Sequence, residues 1–175
     1  MMGIIFLINF YLNLNNMTKI KNIFSSLIFY SSGNSSVETD VITTNGVIGR
    51  AAVPSGASTG QHEAIELRDE YNSYMGKSVF NAVKNVNDII FKELENLSVF
   101  DQSLIDSKMI KLDNTPNKSI LGANAILSVS LAVSKAAAKE KNISLFKDLK
   151  KENSNDPPVP LMNIINGGSH TDPPI

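Results

Sequence analysis

The sequence of 175 residues contains no cysteine. Disulfides, thiolate nucleophiles and cysteine-ligated zinc sites are therefore excluded, and the absence fits a reducing compartment. The chain also lacks an excess of either charge, because 16 lysines and arginines face 17 aspartates and glutamates. The resulting net charge of -1 gives no sign of a nucleic-acid partner. An apolar fraction of 42% is enough for a hydrophobic core, so the composition indicates one domain, or one domain and part of another.

No apolar run is long enough to span a bilayer, which takes about 20 residues. The run from Ile4 to Leu14 is short and interrupted, and it lacks the basic region and cleavage site of a secretory signal. The stretch 121–141 is also apolar, but polar residues such as Asn124 and Lys135 argue against a membrane span. We expect no membrane partner and interpret residues 1–16 as an extension outside the fold, with a membrane anchor as the alternative.

Strand-like and helix-like patterns occupy different parts of the chain. Residues 18–29 are rich in Ile and Phe, and the runs 37–44 and 47–53 flank Asn45-Gly46, the strongest short-range hairpin signal. Apolar residues then recur at helical spacing. Strands followed by helices predict an α+β fold, a three-stranded antiparallel sheet packed on helices. The predicted helices cover about 79–97, 102–112 and 121–141, the last as the buried central helix.

A loop rich in glycine and hydroxyl side chains follows the third predicted strand. Gly56 and Gly60 permit a sharp bend or a mobile lid, and the neighbouring hydroxyls can bind a hard cation or a phosphate. The loop consists of Ser55, Gly56, Ala57, Ser58, Thr59 and Gly60. The alternative is a capping box in which Ser58 and Gln61 start a helix, with His62 as a structural residue at that helix start.

The loop is the first of several ordered motifs that resemble enolase, the glycolytic phosphopyruvate hydratase. Four blocks follow it in the family's order, and the resemblance covers about residues 17–170. These blocks are Glu66-Leu67-Arg68-Asp69, Gly76-Lys77-Ser78-Val79 with Asn85-Val86-Asn87, Leu121-Gly122-Ala123-Asn124 continuing to Ala132, and Pro158 to His170. Several long motifs in a fixed order are highly specific.

The resemblance implies a division of the chain and a chemistry. Residues 17–150 correspond to the family's N-terminal α+β domain, 151–158 to a linker, and 159–175 to the first strand and a fragment of the C-terminal (β/α) barrel. The implied reaction is the cytoplasmic, Mg²⁺-dependent dehydration of 2-phosphoglycerate to phosphoenolpyruvate. Ser58 matches the loop's metal ligand, Ser55 to Gly60 match the mobile loop, and His170 matches a substrate-binding histidine.

The same resemblance indicates what the 175 residues lack. The family's catalytic lysine, acid glutamate and metal-binding carboxylates fall after residue 175, so we expect no catalytic residue in this chain and no activity from it alone. A non-catalytic binding module and a non-functional fragment are the alternatives. A homodimer through the N-terminal domain is implied. Glu38 matches a glutamate of the family's dimer interface, but an arginine of that interface would fall near Ser26 and is absent.

Overall fold

A computed structural model describes residues 18–31, 33–56, 60, 62–69, 73–150, 159–162 and 164. Three strands come first: β1 (Ile20–Phe29), β2 (Ser35–Thr43) and β3 (Ile48–Ala52). They form one antiparallel sheet in the order β1-β2-β3, with β2 in the centre. The predicted three-stranded antiparallel sheet is therefore confirmed.

The hairpin between β2 and β3 turns at the predicted Asn45-Gly46 pair. The amide of Gly46 donates to the carbonyl oxygen of Thr43 at 3.0 Å, and the Thr43 amide donates to the Val47 carbonyl oxygen at 3.0 Å. Gly46 has a φ of +84°, a conformation that is open to glycine and strained for other residues. The glycine thus closes a short connection and sets the register in which β3 pairs with β2.

In the described part of the chain, a short 3₁₀ helix (Ser73–Gly76) and four longer helical segments follow the sheet. Helix α1 covers residues 80–94, with α-helical ends (Phe80–Lys84 and Phe91–Leu94) around a π-helical middle (Asn85–Ile90). Helix α2 is Gln102–Asp113, α3 is Ala123–Glu140 and α4 is the short Leu145–Leu149. The three predicted helices are confirmed. Helix α1 ends before residue 97 because the Asn96 amide, at a φ of +65°, turns to the Ile20 carbonyl oxygen of β1.

The sheet packs on α3, which forms the centre of the core as predicted. Residues of β2 and β3 face the small residues of α3, β1 packs on α1, and α2 completes the core. Gly49 of β3 lies directly against the helix: an ideal Cβ there would be 2.2 Å from the Ala132 carbonyl oxygen and 2.4 Å from the Ala136 amide nitrogen. A side chain at residue 49 would therefore overlap the backbone of α3.

A buried chain of hydroxyl groups crosses this core. Thr39 of β2 lies 2.7 Å, Oγ1 to Oγ, from Ser128 of α3, and it donates to Ser25 Oγ of β1 at 3.1 Å. Ser25 Oγ in turn donates to the carbonyl oxygen of Glu38. Each hydroxyl has a partner, so these polar groups are buried without an unpaired donor or acceptor. This network explains how the apolar helix α3 accommodates Ser128.

Side chains from the helices occupy both edges of the sheet. Along β1, Ser25 donates its amide to Asn87 Oδ1 at 2.7 Å and accepts from Asn87 Nδ2 at 3.1 Å. At the other edge, Lys139 of α3 donates Nζ to the Ile48 carbonyl oxygen of β3 at 2.6 Å. Backbone groups that a free sheet edge would offer to another chain are therefore paired at these two positions.

Residues 159–162 and 164 are the described part of the predicted barrel fragment. These residues have no strand assignment, and Val159, Leu161 and Ile164 are exposed. The remainder of 159–175 lies outside the described residues, so the predicted barrel fragment is not tested. Among the helices that the structure describes, none combines the length and apolar content needed to cross a membrane.

Candidate functional site

The glycine- and hydroxyl-rich loop leaves the sheet at the end of β3 through a fixed stem. The Val53 amide donates to the Val37 carbonyl oxygen at 3.0 Å, which extends the β2–β3 pairing by one residue. The Val53 carbonyl oxygen accepts from the Tyr30 hydroxyl and, at 2.5 Å, from Ser36 Oγ. Hydrogen bonds therefore hold both the amide and the carbonyl group of Val53. The strand pairing stops at Pro54, which has no amide hydrogen to donate.

Ser55, the next residue, belongs to a closed ring of hydrogen bonds with Glu66 and Arg68. Ser55 Oγ donates to Glu66 Oε2 at 3.1 Å and accepts from Arg68 Nη2 at 3.1 Å. Arg68 Nη2 also donates to Glu66 Oε1 at 2.6 Å, which makes the third side an ion pair. Both carboxylate oxygens of Glu66 are thus occupied, one by the guanidinium and one by the hydroxyl.

The other end of Arg68 is anchored to the backbone. Its Nη1 donates to the carbonyl oxygens of Ser35 at 2.8 Å and Lys77 at 2.5 Å. The planar guanidinium can reach several acceptors at once because its donors have a fixed geometry. Arg68 therefore links the start of β2, the turn before α1 and the loop stem at Ser55.

The far stem of the loop is held separately. The Gly60 amide donates to Glu63 Oε2 at 2.8 Å, and the Glu63 amide donates to the Gly60 carbonyl oxygen at 3.1 Å. Two residues later, the Ile65 amide donates to the Asn117 carbonyl oxygen at 2.7 Å, and the Ile65 carbonyl oxygen accepts from the Ala123 amide at 2.8 Å. Both stems are consequently fixed to the domain.

The prediction of a helix directly after the loop is wrong. Residues 63–69 form no helix, and His62 lies exposed in a turn rather than at a helix start. The reason is that alternate amides bond to other segments: Ile65 to Asn117, Leu67 to the Asn124 side chain, and Asp69 to the Ser78 carbonyl oxygen. Amides used in this way are not available for helical bonds four residues back.

Two buried side chains hold this extended segment in place. Asn124 of α3, 2% exposed, accepts from the Leu67 amide at 3.1 Å and donates to the Leu67 carbonyl oxygen at 3.0 Å. Asp69 accepts from the Ser78 hydroxyl at 2.7 Å and from the amides of Phe80 and Asn81 at the start of α1. The segment that carries Glu66 and Arg68 is thus fixed to α3 on one side and to α1 on the other.

Asp113 organises the connection that supports the far stem. The buried carboxylate ends α2 and accepts hydrogen bonds from the Thr115 hydroxyl and amide and from the amides of Ile120 and Leu121. Burial raises the pKa of Asp113, but the bonds from Thr115, Leu121 and Ile120 outweigh it and hold that pKa below its ordinary value. The charged carboxylate therefore fixes residues 115–121, including the Asn117 carbonyl that binds Ile65.

These elements surround a cavity of about 610 Å³ beside the loop. Loop stem residues form one wall, the extended segment with Glu66 and Arg68 another, and Asn117 with the start of α3 the third. The lining mixes apolar residues with the ionic side chains of Glu63, Glu66 and Arg68 and the amide side chains of Asn117 and Asn124.

The structure places part of the predicted site. Ser55, Gly56 and Gly60 lie exposed at the two ends of the loop, and Gly56 and Gly60 line the cavity. Ala57, Ser58, Thr59 and His170 lie outside the described residues. The assignments of Ser58 to the metal and of His170 to the substrate are therefore not tested.

Three residues of the site were not identified as functional from the sequence. Glu66 and Arg68 were noted only as part of a motif, and Asn124 was noted only as part of another motif and as a polar residue in an apolar helix. A signal for the first two was present, since two opposite charges two residues apart on an extended chain point to the same side. The partners of Asn124 come from 57 residues away, which spacing does not reveal.

The described residues alone do not fit a magnesium site. Among them, no group of three or more His, Cys, Asp or Glu side chains is placed to hold a metal ion. Glu66, the carboxylate bound to Ser55 in the first stem, has one oxygen hydrogen-bonded to Arg68 and the other to Ser55. Mg²⁺ prefers oxygen ligands in near-octahedral arrangement, so its other ligands would have to come from outside the described part of the chain.

In a comparison with known protein families, the family model described as "Enolase, N-terminal domain" matches residues 20–149. The matched range contains the whole sheet, helices α1 to α4, both loop stems and the cavity walls.

Proposed function

The chain belongs to the enolase family through its N-terminal domain, and from this premise we propose that it serves the dehydration of 2-phosphoglycerate to phosphoenolpyruvate. In this proposal the domain contributes the loop between Ser55 and Gly60, and Ser58 supplies an oxygen ligand to Mg²⁺. His170 contacts the substrate. The reaction is that of a carbon–oxygen lyase of glycolysis, which we place in the cytoplasm.

One observation carries the proposal: the loop that matches the family is fixed at both stems beside a cavity. A loop that delivers a ligand must return to the same place, and rigid stems limit where its middle can lie. Tyr30 and Ser36 fix the first stem at Val53, and Asn117 fixes the second at Ile65. This geometry supports a loop that presents its hydroxyls to a ligand in the cavity.

The contribution of Mg²⁺ is charge stabilisation. When bound, Mg²⁺ would offset the negative charge that develops as the weakly acidic carbon proton of 2-phosphoglycerate is removed. The domain's own residues hold the loop and shape the cavity wall. Ser58 is the proposed ligand from this loop, and the carboxylate ligands are proposed to lie outside the described residues.

A domain exchange tests the proposal. Residues 17–150 of this chain replace the N-terminal domain of an active enolase, and phosphoenolpyruvate formation from 2-phosphoglycerate is followed by ultraviolet absorbance. We expect turnover that requires Mg²⁺. Ser58→Ala in the chimera should lower kcat on the order of 10²-fold, because a lost or misplaced ligand has effects of that size.

The matched control is Ser103→Ala, the same chemical change at an exposed position of α2. It should leave kcat unchanged. A folded chimera without turnover would contradict the proposed function. Equal kcat values for the Ser58 and Ser103 variants would contradict the metal role of Ser58 while leaving the family reaction in place.

The 175-residue chain itself should give only background turnover with Mg²⁺ and 2-phosphoglycerate. Metal and proton-transfer groups supply most of the rate enhancement in such chemistry, and the described residues contain no such cluster. The protein has to be freed from host enolase before this assay. Turnover that remains after that purification would show that catalytic groups are present which the resemblance does not identify.

A homodimer through this domain is also part of the proposal. Ser26, where the family has its arginine, faces Glu38 across the β1–β2 pairing. Glu38 Oε1 is 3.8 Å from Arg50 Nε, so its carboxylate has a partner within the chain. A surface ion pair of this kind contributes little free energy. Because the interface arginine is absent, we expect weak association of the protomers, which sedimentation velocity over a concentration series can measure.

A further inference from the structure

We propose that Glu66 and Arg68 are positioning residues that hold Ser55 and thereby fix the direction in which the loop leaves β3. The inference rests on the proposed function for its purpose, since a directed loop matters only if the loop delivers a ligand. The clamp itself is a property of the described residues. It consists of the Ser55–Glu66–Arg68 ring and the two backbone carbonyls that Arg68 binds.

The chain loses its backbone hydrogen bonds to the sheet after Val53. The β2–β3 pairing ends with the Val53 amide, and Pro54 has no amide hydrogen to donate. Within the described part of the chain, the Ser55 hydroxyl supplies the hydrogen bonds that residues 54–56 make to the rest of the domain. The direction of the chain at this point therefore depends on one side chain.

The clamp is anchored to the domain where it meets Ser55. Arg68 is fixed by the Ser35 and Lys77 carbonyl oxygens, and its side chain is only 22% exposed. Its bond to Glu66 is charge-assisted, and such bonds are about twice as strong as neutral ones. Ser55 thus binds to a pair of groups that the domain body already holds.

The Glu66 carboxylate is bound at both of its oxygens within the clamp. One oxygen accepts from Arg68 and the other from Ser55. These two bonds fix the orientation of the carboxylate between the guanidinium and the hydroxyl. Glu66 therefore orients Ser55.

The absence of cysteine allows a direct test by spin labelling. Nitroxides are attached to Gly56→Cys, next to the clamp, and to Ser107→Cys on the exposed face of α2, and their distance distribution is measured by pulsed electron resonance. We expect the Ser55→Ala and Glu66→Gln changes to broaden this distribution about twofold, because a segment released from its anchor samples more backbone conformations. Ser55→Thr retains the hydroxyl and should restore the narrow distribution.

Arg50→Lys is the matched control. Arg50 makes a comparable fork to Asp40, with Nε at 2.6 Å and Nη2 at 2.5 Å, but on the far face of the sheet. The Arg50→Lys change should leave the distance distribution between the two nitroxides unchanged. Arg68 itself is retained, since its substitution would also release Ser35 and Lys77.

Circular dichroism confirms that each variant is folded, and its thermal midpoint separates a local from a global effect. A role limited to stability would lower the midpoint without broadening the distribution in the folded protein. Unchanged distributions in folded Ser55→Ala and Glu66→Gln would overturn the proposal, as would equal broadening by Ser55→Thr or Arg50→Lys. No substrate or Mg²⁺ enters the measurement, so the clamp and the proposed function can fail separately.

Discussion

Replacement of Gly49 by alanine is the most direct test of how the sheet is seated on α3. The added methyl group is small, and Gly49 does not have the positive φ that strains other residues. Any loss of stability must then come from the space between β3 and the helix. Because β3 leads into the loop, the distance between β3 and α3 also determines the position of Ser55.

The magnitude follows from the distances at Gly49. An ideal Cβ would lie 2.2 Å from the Ala132 carbonyl oxygen, 2.4 Å from the Ala136 amide nitrogen and 2.7 Å from the Ala136 Cβ, whereas ordinary contacts begin at 3.4 Å. Two of these neighbours are backbone atoms of a helix, which cannot rotate away. Overpacking a core costs about 1–3 kcal/mol, and we expect the upper end of that range, about 3 kcal/mol, for Gly49→Ala.

Urea denaturation followed by circular dichroism measures this value, and two other glycines supply controls. Gly60→Ala places its methyl group in open space and should change stability by less than about 0.5 kcal/mol. Gly46→Ala also meets no atom within 4 Å but has a φ of +84°, so it should cost about 1–2 kcal/mol from backbone strain alone. If Gly49→Ala is no more destabilising than Gly46→Ala, the close approach of β3 to α3 is not a constraint on the fold.

Two further predictions concern the supports of the extended segment. Asp113→Asn should lower stability by about 2 kcal/mol at pH 7, since an amide nitrogen cannot accept the donors that the carboxylate binds. Because the pKa of Asp113 is lowered in the folded protein, its contribution is present above about pH 4 and is lost as the pH falls further, so wild-type urea midpoints should drop below pH 4 and those of Asp113→Asn should drop less. Equal acid sensitivity of the two proteins would contradict this. Asn124→Ala should cost about 1–3 kcal/mol in the same assay because it leaves the Leu67 amide and carbonyl unpaired, whereas an unchanged midpoint would mean that water replaces both bonds.

Local sequence patterns predicted the three strands and the three longer helices because each pattern is compatible with few structures. The Asn45-Gly46 pair between β-branched runs has few alternatives to a hairpin, and the Ala- and Val-rich stretch of α3 is too apolar to lie on the surface. The loop was found for a similar reason, because its glycines and hydroxyls occur together. These features depend on neighbours along the chain.

The segment after the loop was predicted wrongly because its structure depends on distant partners. A capping-box pattern at Ser58 and Gln61 favoured a helix, but Asn117 and Asn124 take the amides that the helix would use. The π-helical middle of α1 was also missed, since it shows no signal in the apolar spacing. The clamp at Arg68 joins residues from four parts of the chain, and no local pattern specifies that arrangement.

The amide of Asn87 has a consequence for behaviour in concentrated solution. By donating to and accepting from the same residue of β1, it imitates one residue of a neighbouring strand. An incoming chain would have to displace it before adding to the sheet, and Lys139 presents a similar obstacle, with a charge, at β3. Sheets whose borders are left open are prone to grow into fibres by adding further strands. Asn87 and Lys139 therefore hinder the addition of further strands to β1 and β3 and so oppose polymerisation.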